Sequence, residues 1–388
     1  MPIFDYLIVG AGFSGLTLAE RLTTQLGKSC LIVDRRAHIG GNAHDHLDAA
    51  GVLIHAYGPH YFRTNSDRIV RYLSAFTDWR PVEYRILSFC RNRLWNFPIN
   101  LNTFEQFLGR PSTSEEMEAW LSKTRIPFEK PKNSEEAIVS QVGRELYEMF
   151  FKGYTEKQWR RSPAELDPSV CGRIPIRTNR DDRYLRESFQ ALPGHGYHVL
   201  FQNMARACGP KLKILLKTSY RDVLKAVPFR HLFYTGPIDE FYDYRFGALP
   251  YRSLRFEPES FNPSQLKARE RYAGKPGFWQ PAMQVNYPDS GDFTRIVEIK
   301  HATGQKIENT TIVREYPADY LPGGEPYYPI PAPEARDLYE KYRILAEQEK
   351  NVSFVGRLAT YRYYNMDQVV GMALTEFDRI AAKTKAGR

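Results

Sequence analysis

Apolar and polar residues change their spacing several times along this chain, and each change marks an element. Residues 3–9 form a short apolar run, which predicts a strand buried on both faces. Gly10-Ala11-Gly12-Phe13-Ser14-Gly15 interrupts the run. Leu16, Ala19, Leu22 and Leu26 then recur at helical spacing. Cys30-Leu31-Ile32-Val33 predicts a second buried strand, which ends at Asp34. Residues 51–65 read as strand and turn, and residues 81–99 alternate as strands do.

From about 102 to 165 the period becomes helical. Ser112-Thr113-Ser114-Glu115 has the spacing of a capping box, and Asn133 with Glu136 repeats the signal. Ile138, Val139, Val142, Leu146, Met149 and Phe150 follow at helical spacing, and the helix leaves through an aromatic stretch, residues 150–159. Gly194-His195-Gly196-Tyr197 opens another helix, with Val199, Leu200, Met204 and Ala205 on its apolar side. Residues 231–236 predict a strand ending in glycine. Residues 245–330 are strand-like and rich in proline, which predicts an antiparallel sheet. A buried strand at 352–357 and a helix at about 367–383 close the chain.

The predicted class is α/β: a discontinuous Rossmann-like domain, a helical insertion domain and an antiparallel-sheet domain. The expected boundaries are 1–80, 197–240 and 335–388 for the first. They are 100–172 for the helical domain with a mobile lid region, and 81–99, 173–196 and 241–334 for the sheet domain that holds substrate. The length of 388 residues accommodates two or three cores.

Composition narrows the function classes. A hydrophobic fraction of 42% and a charged fraction of 26% describe a globular chain. No apolar run reaches the roughly 18 residues of a membrane span, and no signal peptide is read at the start. The four cysteines, Cys30, Cys90, Cys171 and Cys208, form no CxxC pair, so no metal site is expected and a cytoplasmic location fits. The net charge of +9 is spread along the chain rather than gathered into a tail, which argues against nucleic acid and for a basic cleft that takes a phosphorylated small molecule.

The first forty residues carry the first piece of chemistry. Strand, G-x-G-x-x-G, helix, strand and terminal acid occur in the order a dinucleotide site requires. Gly10, Gly12 and Gly15 let backbone approach a pyrophosphate, and the helix start adds positive potential. Asp34, 19 residues beyond Gly15, is placed to accept from the ribose hydroxyls. The stretch Asp34-Arg35-Arg36-Ala37-His38-Ile39-Gly40-Gly41-Asn42 resembles the acid-x-Arg-x-x-x-Gly-Gly segment of two-dinucleotide-fold flavoproteins, which implies FAD rather than NAD.

Residues 57–60, 152–159, 173–175, 234–239, 251–254, 294–295, 325–329 and 356–358 form a set of stretches by which the chain, over nearly its whole length, resembles the bacterial UDP-galactopyranose mutases. Of these, Lys152-Gly153-Tyr154-Thr155-Glu156-Lys157-Gln158-Trp159 and Glu325-Pro326-Tyr327-Tyr328-Pro329 are individually specific. The resemblance implies interconversion of UDP-galactopyranose and UDP-galactofuranose through a reduced-flavin N5–sugar adduct, with no net redox change. The protein then orients groups and manages charge rather than supplying a nucleophile.

The same resemblance assigns roles by position. Arg173 and Arg295 hold the diphosphate, where planar guanidinium suits paired phosphate oxygens. Tyr184, Tyr328 and Tyr363 hydrogen-bond the phosphates. Phe150, Tyr154 and Thr155 form the uracil wall, with Asn286 as a further contact, and Trp159 stands near the sugar. Arg252 and Arg357 lie near the flavin and its phosphates, and His60 lies by the flavin ring. Phe13, Ser14, Arg35, Gly41, Asn42 and Met366 complete the cofactor set. The arginines between 160 and 190 are read as a basic lid over the diphosphate. A homodimer is expected, with a UDP-sugar as substrate.

Two positions depart from the family pattern. Arg63 stands where a second histidine is usual, and Asn365 stands where many relatives carry aspartate. A guanidinium at 63 reaches toward an added acetamido carbonyl, which raises UDP-N-acetylgalactosamine as a further substrate. A flavin oxidase or desaturase, or a UDP-sugar binder without chemistry, are the competing classes.

Overall fold

Strand β1 (Phe4–Val9), helix α1 (Phe13–Leu26) and strand β2 (Cys30–Val33) form the unit that the apolar spacing predicts. The structure, a computed structural model, describes residues 3–386; Met1 and Pro2 lie outside the described residues. β1 and β2 are the centre of a five-stranded parallel sheet. Its order is Leu212–Leu215, β2, β1, Phe229–Tyr234, Val352–Phe354. The chain order of the strands reverses at β1, and the carboxyl ends of the strands at such a point leave a crevice.

Leu7, Ile8, Ile32 and Val33 are fully buried because helices cover both faces of this sheet. Leu16, Leu18, Ala19 and Leu22 of α1 are also fully buried, packed toward the helices Tyr197–Ala207 and Met366–Ala386. Each leucine of that face contributes about 2 kcal/mol by leaving water. The C-terminal helix therefore completes a domain that the N-terminus begins.

A seven-stranded sheet draws on residues 86–97 and 251–329. Its longest ladder is antiparallel and pairs Tyr251–Phe261 with Thr310–Asp319. One pair in it, Ile86–Cys90 with Gln284–Asn286, runs parallel, so the sheet is mixed where the pattern predicts a purely antiparallel one. The long chain excursion between those two strands makes a parallel return possible. A three-stranded sheet places Phe189–Pro193 between Phe62–Thr64 and Trp79–Pro81.

The helical region contains Leu101–Leu108, Ser114–Thr124, Ser134–Tyr147 and Gly153–Trp159. Asn133 caps its helix as expected, accepting from the Glu136 N–H at 2.9 Å. The preceding cap is Thr113, accepting from the Glu116 N–H, so the expected Ser112–Glu115 box is displaced by one residue. At the aromatic exit the helix widens to a π-turn, Glu148–Lys152. The helix Pro333–Gln348 has no counterpart in the apolar pattern, because only Ala335 and Tyr342 of its sixteen residues are buried. No helix among the described residues is long and apolar enough to cross a membrane.

Candidate active site

The crevice at the end of β1 opens into a cavity of about 1160 Å³ that runs from the parallel sheet to the seven-stranded sheet. That volume exceeds the roughly 300–1,000 Å³ of a single small-molecule site, so a dinucleotide and a second ligand have room side by side.

At the sheet end the glycines form a cradle. Gly41 has a φ of 56°, and a Cβ on it would lie only 3.1 Å from the Gly12 Cα. Gly12 lines the cavity, and a Cβ on it would be in ordinary contact with the Gly41 Cα at 3.6 Å. Gly15 serves a different purpose: its missing Cβ makes room for the Gly10 carbonyl, which would lie 2.0 Å away. α1 begins with no side-chain cap and no acidic residue in its first turn, so its N–H groups remain for an anion. Asp34 accepts from the Ala11 N–H at 2.8 Å and the Arg36 N–H at 2.9 Å, one on each carboxylate oxygen. Each oxygen keeps a lone pair for a hydroxyl. Gly10, Phe13, Ser14, Arg35, Asn42, Arg357 and Met366 also line the cavity. This donor set fits a dinucleotide cofactor.

Arg36 rather than Arg35 is the more enclosed arginine there. Its guanidinium lies 4.3 Å over the Tyr57 ring and donates to Asn42 at 2.8 Å and to Glu325. Arg35 turns outward and donates to the Gly324 carbonyl. Sequence reasoning passed over Arg36, Tyr57 and Glu325 as cleft groups; the acid-x-Arg spacing itself points to Arg36.

At the other end the cavity is cationic and phenolic. Arg173 has no carboxylate within 4.0 Å among the described residues; its guanidinium lies 4.9 Å over the Tyr363 ring. More than a third of Arg173 is open, and its open face is on the cavity although protein surrounds it. Tyr363 stacks on Tyr328 at 5.4 Å, and Arg357 lies 5.8 Å from the Tyr328 ring. Burial pushes the Tyr363 phenol up, but Arg173, Arg357 and Arg295 more than offset it and hold it below the ordinary tyrosine value. Burial raises Tyr184, also in this group.

Arg295 is not free in the same way. It sits directly opposite Glu315 in the sheet register and donates to it at 2.7 Å. Glu315 is 1% exposed, and its second oxygen and the Arg295 Nε have no partner. A buried ion pair of this kind, with unmet hydrogen-bonding capacity, is held open to a further polar group.

Tyr154, Thr155 and Trp159 line the cavity from the helix after the π-turn, and the Trp159 ring lies 6.3 Å from Tyr328. Three other expected site residues are not among those that line the cavity. Phe150 is buried between Trp95 and Phe97, each 5.8 Å away. Asn286 is buried and accepts from the Gln284 amide at 2.7 Å. Arg252 is buried, donates to the Gln158 carbonyl and ion-pairs with Asp319, its neighbour across the ladder. Most arginines of the expected lid are likewise paired on the surface: Arg180 with Glu105, Arg183 with Asp181 and Arg161 with Glu334. Within that stretch Arg173 and Arg186 line the cavity without a carboxylate partner among the described residues, and of the two Arg173 lies against the Tyr363 ring.

His60 also faces the cavity. Its Nδ1 is 2.8 Å from the Gly58 carbonyl, which only accepts, so Nδ1 carries the hydrogen. Its backbone N–H donates to His55 Nδ1 at 3.0 Å, which requires that nitrogen to be unprotonated. Burial lowers His60 to about 4 and His55 to about 3. Both are neutral in the folded protein at pH 7, while the unfolded chain takes up protons below its ordinary value of about 6.5. Stability is therefore full above that value and falls as pH drops below it. At pH 5 the loss is about 2 kcal/mol per histidine. Denaturant midpoints at pH 7 and pH 5 check this; a midpoint that does not fall would contradict the neutral assignment.

Arg63, on the strand Phe62–Thr64, lines the same wall. Its Nη2 donates to Asn365 at 3.0 Å, and its Nε is 3.5 Å from Glu187. The two positions that depart from the family pattern thus touch each other.

Comparison with known proteins agrees with this geometry. Residues 149–363 match the family model of UDP-galactopyranose mutase, and residues 8–76 match that of an NAD(P)-binding Rossmann-like domain. A probable UDP-galactopyranose mutase of Klebsiella pneumoniae is 37% identical over 96% of this chain and 94% of its own. A dTDP-fucopyranose mutase of Escherichia coli is 33% identical over 95% of this chain and 96% of its own. The fold matches a crystal structure of reduced UDP-galactopyranose mutase with a TM-score of 0.74 at 18% identity, covering 98% of this chain and 94% of that one. The Rossmann-like cradle is common to these comparisons and the geometry, and the chain belongs to the UDP-galactopyranose mutase family of isomerases.

Proposed function

We propose that this protein interconverts UDP-galactopyranose and UDP-galactofuranose, using FAD in its reduced form with no net redox change. The observation that carries the reading is the placement of Arg173, without a carboxylate partner, in the same cavity as the Gly12–Gly41 cradle. When bound in reduced form, FAD supplies the electron-rich nitrogen that ring contraction at an anomeric carbon needs.

The chain's own residues do the rest. Gly10, Gly12, Gly41 and the first turn of α1 hold the cofactor pyrophosphate, and Asp34 holds its ribose. Arg173 and Arg295 take up charge as the UDP diphosphate leaves, and Tyr184, Tyr328 and Tyr363 direct O–H groups at it. Tyr154, Thr155 and Trp159 give the nucleotide a flat wall. His60, neutral and fixed by Gly58, presents its Nε2 as an acceptor. The resemblance also favours a homodimer working in the cytoplasm, and domains divided as the sequence reading has them.

A second reading concerns the sugar. The dTDP-fucopyranose mutase at 33% identity stands close to the Klebsiella pneumoniae mutase at 37%, and Arg63 adds donors to the cleft wall. The test is an anaerobic assay after dithionite reduction, with UDP-galactofuranose, UDP-N-acetylgalactosamine and dTDP-fucose supplied separately and products resolved by chromatography. UDP-galactofuranose is expected to turn over fastest. Turnover of dTDP-fucose alone would replace this reading with the second. Absence of product from UDP-N-acetylgalactosamine, with Arg63→His unchanged in activity, would remove the acetamido extension.

A further inference from the structure

The arginines of the cavity fall into two classes. Arg36, Arg63 and Arg295 each have a carboxylate partner: Glu325, Glu187 and Glu315. Arg173, Arg186 and Arg357 have none within 4.0 Å among the described residues. The carboxylates therefore set how much charge each guanidinium group presents to a diphosphate. For Arg295 that partner is an interior cross-strand neighbour, and for Arg36 it clamps a turn against Tyr57. Glu187 is different. It lines the cavity and is a quarter exposed, as is Arg63 at 22%. It also stands three residues after Tyr184, on the segment that leads from Arg173 into the strand Phe189–Pro193.

We propose that Glu187 is a positioning residue that neutralises Arg63 and turns it toward Asn365, so that Arg63 does not add a further anion site to the cleft. The proposal rests on the UDP-sugar reading given above. Arg63 lies on the His60 side of the cavity, on the strand that follows it, whereas Arg173 lies against Tyr363 and Tyr184. A free cation at Arg63 would draw the diphosphate along the cleft toward the cofactor and away from the position that places the anomeric carbon. With Glu187 in place, its charge is cancelled locally while its remaining N–H groups still reach sugar hydroxyls. Asn365 fits this arrangement, because its oxygen accepts from Arg63 without adding a charge.

The test is UDP binding to the oxidised holoenzyme by calorimetry, with steady-state kinetics of the reduced enzyme beside it. Glu187→Gln should tighten UDP about tenfold, as expected for one uncompensated cation near a diphosphate in a partly screened cleft. It should also steepen the loss of affinity with salt, and lower kcat and KM together. A merely structural role would not tighten binding. Arg63→Met leaves Glu187 unpaired and should weaken UDP about tenfold. Adding Glu187→Gln to Arg63→Met should restore the wild-type affinity. If Glu187→Gln alone fails to fold, the comparison of Arg63→Met with that double variant decides. Equal UDP affinity in wild type and Glu187→Gln, or a double variant as weak as Arg63→Met, would overturn the proposal. Failure of the wild type itself to bind UDP would instead overturn the UDP-sugar reading, and the role of Glu187 with it.

Discussion

Replacing Arg173 by alanine is expected to lower kcat/KM of the reduced enzyme by about a thousandfold while leaving the fold and flavin content intact. Arg173 has no carboxylate partner to strand, so its removal leaves no buried anion behind. The loss falls on the step in which charge develops on the diphosphate. Arg173→Lys should recover less than about tenfold of it, because an ammonium cannot make the planar two-point contact. The contrast with Arg295 is instructive. Arg295→Ala would leave Glu315 charged and buried, so lost activity there would be mixed with instability of about 3–5 kcal/mol. An Arg173→Ala enzyme within tenfold of wild type would contradict the placement of the diphosphate.

The second large effect is at Gly12. Gly12→Val should give a folded protein that binds flavin at least about a hundredfold more weakly, since the side chain enters the space kept for the pyrophosphate; each tenfold is about 1.4 kcal/mol. A Cβ there would be 3.6 Å from its nearest neighbour and the Gly12 φ is −88°, so the first added carbon meets neither clash nor strain. Gly15→Ala behaves differently, because its Cβ would press on the Gly10 carbonyl at 2.0 Å and damage the β1–α1 turn. Flavin absorbance of the purified variants, read beside their thermal midpoints, separates the two. A Gly12→Val protein that retains flavin at the wild-type ratio would show that the cofactor does not pass over this turn.

The parts of this site that the sequence makes legible are those set by neighbours along the chain. β1, α1, β2 and Asp34 follow from a change of period within forty residues, and the cradle is in place as that order requires. The motif spanning Tyr154 to Trp159 likewise lies on one helix, so its members arrive at the cavity together. Partnerships across strands are not legible in this way. Arg295 with Glu315, and Arg252 with Asp319, depend on the register of strands far apart in sequence. That register turns Arg252 away from the cavity. Phe150 stands at the turn where the helix widens, and the widening sends its ring inward to Trp95 and Phe97. Glu187 carries no motif at all; only the pairing of Phe62–Thr64 with Phe189–Pro193 brings it to Arg63. The helix Pro333–Gln348 escaped notice because its buried stripe is too thin to impose a period.

The central claim is that the cleft isomerises a nucleotide sugar without consuming electrons. The most direct measurement reduces the enzyme once with a limiting amount of dithionite, removes the excess anaerobically, and counts UDP-galactopyranose molecules formed from UDP-galactofuranose per reduced flavin. The account predicts many turnovers per reduction, with the flavin still reduced at the end and no product from the oxidised sample. One product per reduced flavin, or conversion by the oxidised enzyme at the same rate, would contradict it.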